Sequence, residues 1–191
     1  MSTTCGSAPS PLRARRAWSP RAPVSEADRS VVERQIGRPP RAFRRVAVRC
    51  PFGLPAVTEQ SPYDREGDPF PTMYYLTCRH LVAAVSRVEA AGGVERFAEA
   101  AAVDPGLRAS LAEATQRHRE LRRALAADAK GKDGGASLEL GIAGAARPER
   151  LKCLHAHVAF ALAQPRYRLG ERVLDELEPL WPGECCSTPP R

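Results

Sequence analysis

Chemistry in this chain would rest on its cysteines and histidines, of which it has six and four. Cys5, Cys185 and Cys186 lie near the ends, which leaves Cys50, Cys78 and Cys153 in the body of the chain. Three cysteines make a poor disulfide framework but a plausible ligand set. The segment Arg150–Gln164 is the most informative. From Cys153 to Gln164 it has no charged residue, and a 100° step per residue puts Leu151, Leu154, His155, Val158 and Leu162 on one stripe and Cys153, His157 and Phe160 on another. An all-round apolar helix belongs in a core. Cys153 and His157, four residues apart, would then share a face and could reach one metal ion, with His155 on the opposite side.

Two further segments point inward by the same arithmetic. Cys78 falls in line with Leu81, Val82 and Val85, whereas His80 falls on the polar side beside Arg87. With Thr77 as cap, Cys78 would occupy the first helical turn, where the helix dipole favours a thiolate, the form that binds metal and acts as nucleophile. Cys50 ends a strand in the Pro/Gly turn Cys50-Pro-Phe-Gly-Leu-Pro55. The residues therefore predict a site of Cys50, Cys78, Cys153 and His157, with Zn²⁺ the ion that cytosolic Cys/His donors favour.

Two other readings compete: a thiol enzyme with Cys78 or Cys153 as nucleophile and His155 or His157 as base, and a non-catalytic interaction protein. Taken singly, each of these residues is more simply a small core thiol or a backbone-bonded histidine. There is no CxxC pair, no HExxH, no P-loop, no GxGxxG after a strand and no GxSxG elbow, so nucleotide-driven chemistry is not indicated.

The elements that must position these residues predict a mainly helical α+β fold with a small sheet in the N-terminal third. Ser25 caps a helix to Ile36, stopped by Gly37 and Pro39-Pro40. Phe43–Val48 and Ala56–Glu59 read as strands, and Met73–Thr77 as a third strand or the lead into a helix. Helices follow over Cys78–Ala91, Glu95–Ala102, from Asp104-Pro105 to about Ala129, from Pro148 to Gln164, and over Gly170–Glu178. The long helix from Asp104 reads as mostly solvated. Leu138, Leu140 and Ile142 alternate in a Gly-rich stretch and could add a strand.

At 191 residues, 43% hydrophobic and 27% charged, the chain suits one domain, expected over residues 25–180 between a basic tail (1–24) and a C-terminal tail (181–191). No apolar run reaches membrane-spanning length and no signal-like segment opens the chain, which places it in the cytoplasm. The net charge of +7 draws +4 from Arg13, Arg15, Arg16 and Arg21 in the tail. Arg38, Arg41, Arg44, Arg45 and Arg49 surround the first strand, where they either meet phosphate or an acidic partner or simply solvate an edge. Nucleic-acid contact is expected to be weak and non-specific.

Three motifs in order, Cys50-Pro-Phe-Gly-Leu-Pro, Pro69-Phe-Pro-Thr-Met-Tyr-Tyr-Leu-Thr-Cys78 and Lys152-Cys-Leu-His-Ala-His157, resemble the bacterial domain of unknown function 501 family, which is largely actinobacterial. The resemblance runs from about Val31 to Gly170. It implies a cytoplasmic housekeeping protein, since genes of the family often neighbour those for cell division and polyphosphate hydrolysis, and it implies no mechanism.

Overall fold

The computed structural model describes residues 25–127, 131–147, 150–177 and 179–185. The expected basic tail, residues 186–191 and Pro148 lie outside the described residues. Helix α1 (Glu26–Ile36) opens with the Ser25 side chain accepting from Asp28 N–H and closes at Gly37, whose φ of 72° only glycine adopts without strain. Strands β1 (Phe43–Arg49), β2 (Pro55–Gln60) and β3 (Tyr74–Leu76) form one antiparallel sheet in that order. The fold is α+β.

All six residues of the central strand β2 are buried, including Glu59. That carboxylate is tolerable inside because two cross-strand arginines meet it, Arg45 at 2.6 Å and Arg44 at 3.3 Å. Four of the five arginines around the first strand are paired: Arg44 and Arg45 neutralise a buried acid, Arg49 meets Asp28 at 2.7 Å, and Arg41 meets Asp64 at 3.4 Å.

Helices α2 (Arg79–Ala90), α3 (Gly93–Val103), α4 (Pro105–Ala126), α5 (Leu154–Ala163) and α6 (Arg168–Asp175) complete the domain. Helix α5 is central, packed on β3, α2 and α6, and seven of its ten residues are buried. Gly170 allows α6 to approach it, because a Cβ there would stand 2.6 Å from that of Ala161. No helix among the described residues is long and apolar enough to cross a membrane.

Three expectations change. Helix α5 starts at Leu154, not near Pro148, with Arg150–Cys153 outside it and Cys153 as an extended N-cap at φ −161°. The alternating Leu138, Leu140 and Ile142 form no strand; two short 3₁₀ turns, Ala136–Glu139 and Ile142–Gly144, take their place. Asp133 accepts from the N–H groups of Gly135 and Ser137 and curls the chain before it can extend. Helix α4, expected to be solvated, buries His118 and Arg122 on its inward stripe. Arg122 donates to the carbonyls of Phe70 and Ser137, and its burial lowers the guanidinium pKa to about 10.

Candidate metal centre

The site grows from the contact between α2 and α5. Val82, Ser86 and Glu89 are spaced four and three apart, so they share the face of α2 turned to α5. At the start of α5 the Cys153 side chain makes no capping bond, and the cap comes instead from across the groove: Leu154 N–H donates to Glu89 Oε1. One carboxylate oxygen is thereby fixed. The other, Oε2, lies 3.2 Å from His155 Nδ1, and Cys153 Sγ lies 3.7 Å from the same nitrogen. On the far side of the ring, His155 Nε2 is 3.2 Å from the Val82 carbonyl and 3.3 Å from Ser86 Oγ.

Among the described residues, Glu89, Cys153 and His155 are the one group of three or more Cys, His, Asp or Glu side chains whose donor atoms all lie within 4.8 Å of one another. A tetrahedral zinc ion with metal–ligand bonds of about 2.0–2.3 Å would set its nitrogen and oxygen ligands about 3.3 Å apart and its nitrogen and sulfur ligands about 3.6 Å apart. The observed 3.2 Å and 3.7 Å match those edges. The Val82 carbonyl stands where an outer partner of a metal-bound imidazole belongs, since it can accept the Nε2 proton and so leave Nδ1 as the ligand atom. The Glu89 and His155 side chains are each 25% exposed, so a fourth position would open towards solvent.

The electrostatics favour positive charge at this point. The hydrogen bond to Cys153 is the largest influence on His155, and with Glu89 and the Val82 carbonyl it outweighs desolvation and raises the imidazole pKa to about 9.

Of the four ligands expected from sequence, only Cys153 belongs to this group. Cys50 and Cys78 are buried, at 6% and 1% exposure, at the end of β1 and as the N-cap of α2. No three of Cys50, Cys78, Cys153 and His157 bring donor atoms within 4.8 Å of one another. The physical reason lies at the start of α5. Because Cys153 is a cap in extended geometry, the four-residue helical spacing does not bring it to the face of His157. His157 is instead sealed in the core, where its Nδ1 is hydrogen-bonded to the Tyr167 hydroxyl at 2.6 Å and burial depresses its pKa to about 4. His80 Nε2 faces the Pro179 carbonyl at 3.1 Å, away from the site.

Glu89 was not among the expected ligands. Its only sequence signal is its place on the Val82–Ser86–Glu89 face, which becomes informative once α2 and α5 are known to be neighbours.

A family model described as a protein of unknown function (DUF501) matches residues 46–175. The chain belongs to this family. The matched region contains Glu89, Cys153 and His155 together with Cys50, Cys78 and His157, and it leaves out α1. No curated protein and no solved structure matches the chain.

Proposed function

We propose that this DUF501 protein is a cytosolic metal-binding domain in which Glu89, Cys153 and His155 hold a divalent ion, Zn²⁺ first, with the fourth position open to solvent. The observation that carries the reading is the gathering of sulfur, nitrogen and oxygen donors within 4.8 Å of one another, with the two separations to His155 Nδ1, 3.2 Å and 3.7 Å, near tetrahedral edge lengths. A mixed thiolate, imidazole and carboxylate set suits zinc better than the hard cations, which take oxygen ligands. Bound there, the ion would clip the C-terminal turn of α2 to the first turn of the central helix. An open fourth position is the arrangement of exchangeable and catalytic sites rather than of closed structural ones.

The thiol-nucleophile reading is less well supported by the same geometry. A relay through histidine needs the nucleophile on one ring nitrogen and the orienting acid on the other. Here Cys153 and Glu89 face the same nitrogen, and Nε2 faces a carbonyl and a serine hydroxyl.

Elemental analysis of the full chain purified without chelators tests the proposal. The expected result is one zinc per chain, lost in Cys153→Ser and His155→Ala, weakened in Glu89→Gln, and retained in Cys50→Ser, Cys78→Ser and His157→Ala. Wild-type protein that is metal-free and does not take up zinc on titration would sink the reading. Loss of metal in His157→Ala with retention in His155→Ala would move the site back to the face expected from sequence.

A further inference from the structure

Seven arginines lie between Arg29 and Arg49, and five of them meet carboxylates: Arg29 with Glu26, Arg41 with Asp64, Arg44 and Arg45 with Glu59, and Arg49 with Asp28. Arg34 and Arg38 do not. No carboxylate among the described residues lies within salt-bridge distance of either, nor of Arg79, which joins them from the start of α2. The contacts that two of these guanidiniums make are with neutral groups. Arg79 Nη2 donates to the Arg34 carbonyl at 3.0 Å, and Arg38 Nη2 reaches the Tyr75 hydroxyl at 3.5 Å. Such acceptors orient a guanidinium without cancelling its charge.

These residues stand at a groove of about 520 Å³ at the C-terminal end of α1, lined by Ser30, Glu33, Arg34, Gly37, Arg38 and Pro39. It is an open depression formed by one face of α1 and the turn after it, wide enough for a phosphate and a neighbouring group to rest on the surface. Glu33 is the only carboxylate in the lining, set against Arg34 and Arg38 within it and Arg79 beside it. Planar guanidiniums with several fixed donors recognise tetrahedral phosphate oxygens through paired, charge-assisted hydrogen bonds. A dianion also answers two unpaired cations better than a single carboxylate does.

We infer that this groove binds the phosphate group of a small molecule, with Arg34 and Arg38 contacting the phosphate and Arg79 adding positive charge from α2. The site is separate from the Glu89–Cys153–His155 centre and does not depend on it. Ser30 offers a hydroxyl on the same lining, and the part of the groove not filled by phosphate is left for the organic portion.

Calorimetric titration of the full chain with inorganic phosphate, and in parallel with a nucleoside monophosphate, tests the inference. Saturable one-site binding is expected, at least tenfold weaker in R34Q/R38Q, several-fold weaker in R79Q and unchanged in R41Q, whose arginine is already paired with Asp64. Equal affinity for the two probes would assign the site to free phosphate, and tighter binding of the ester would assign the remaining volume to an organic group. Both outcomes support the groove. Because the N-terminal arginines remain in every variant, phosphate binding that is unsaturable, or undiminished in R34Q/R38Q, or lowered as much by R41Q, would overturn it. The substituted side chains of the groove are exposed, and a melting temperature for each variant confirms that the fold is intact.

Discussion

Acid should unfold this domain through two histidines that take no part in the candidate site. His118 and His157 are each 1% exposed. Desolvation, with Arg122 adding to it for His118, depresses their pKa values to about 3 and about 4, against 6.5 for the free side chain. A histidine with a folded pKa below its unfolded value contributes fully above pH 6.5, and that contribution shrinks as pH falls because only the unfolded chain takes up the proton. Each group then costs about 1.4 kcal/mol per pH unit, so the pair removes about 4 kcal/mol between pH 7 and pH 5. That is a large part of the roughly 5–15 kcal/mol that holds a domain together. Carboxylates with lowered pKa values, such as Asp104, Asp133, Glu139 and Glu176, give up their contribution only at lower pH. His155, whose pKa is raised, works in the opposite direction, and its partial exposure keeps that effect under about 1 kcal/mol. Urea denaturation at pH 7, 6 and 5 with EDTA present, so that metal release plays no part, measures the slope. His157→Gln and His118→Phe should each remove about half of it. Stability that stays flat from pH 7 to pH 5 in the wild-type chain would refute the reasoning, whatever the variants do.

Other outcomes follow from single contacts. Glu89→Ala should cost about 1–2 kcal/mol even without metal, because it strips the cap from Leu154 N–H, and Glu89→Gln should recover most of that in a thermal melt. Tyr167→Phe should lose about 1–2 kcal/mol in denaturant titration by leaving His157 Nδ1 buried without a partner. Gly170→Ala should cost about 1–3 kcal/mol or prevent folding, since the new methyl group would meet Tyr167 and Ala161 at 2.5–2.6 Å, and a neutral result by calorimetry would show that α6 can shift.

Much of the fold was legible because its signals are local. Ser25 and Gly37 mark the two ends of α1, and Asp104 with Pro105 marks the start of α4, since a cap is a relation between residues three or four apart. What failed was reading burial from polarity. Arg122 and His118 look like solvent-facing residues of a charged helix, yet they continue the stripe Leu107, Leu111 and Ala114 at helical spacing, and the fold buries them. Leu138, Leu140 and Ile142 failed for a different reason. Alternation predicts a strand only where a neighbour supplies the other half of the ladder, and Asp133 closes a turn first.

The candidate site turned on a single backbone angle. Reading Arg150–Gln164 as one continuous helix puts Cys153 over His157 and sends His155 to the far side. With Cys153 as an extended cap, the thiol leaves the helical phase and lies against His155. No residue in the stretch announces that break, because Cys153 makes no capping bond of its own and the true cap, Glu89, is 65 positions earlier in the chain. The same carboxylate that caps the start of α5 at Leu154 also completes the donor set, so one long-range contact bears both on where α5 begins and on which histidine can hold a metal. Glu89→Gln, which keeps the hydrogen-bond acceptor for Leu154 and removes the charge, separates these two roles. The helix should start where it does now, as judged by unchanged far-ultraviolet circular dichroism, while zinc affinity falls by at least tenfold. Loss of helix without loss of zinc would show that the cap and the donor set are not joined through Glu89.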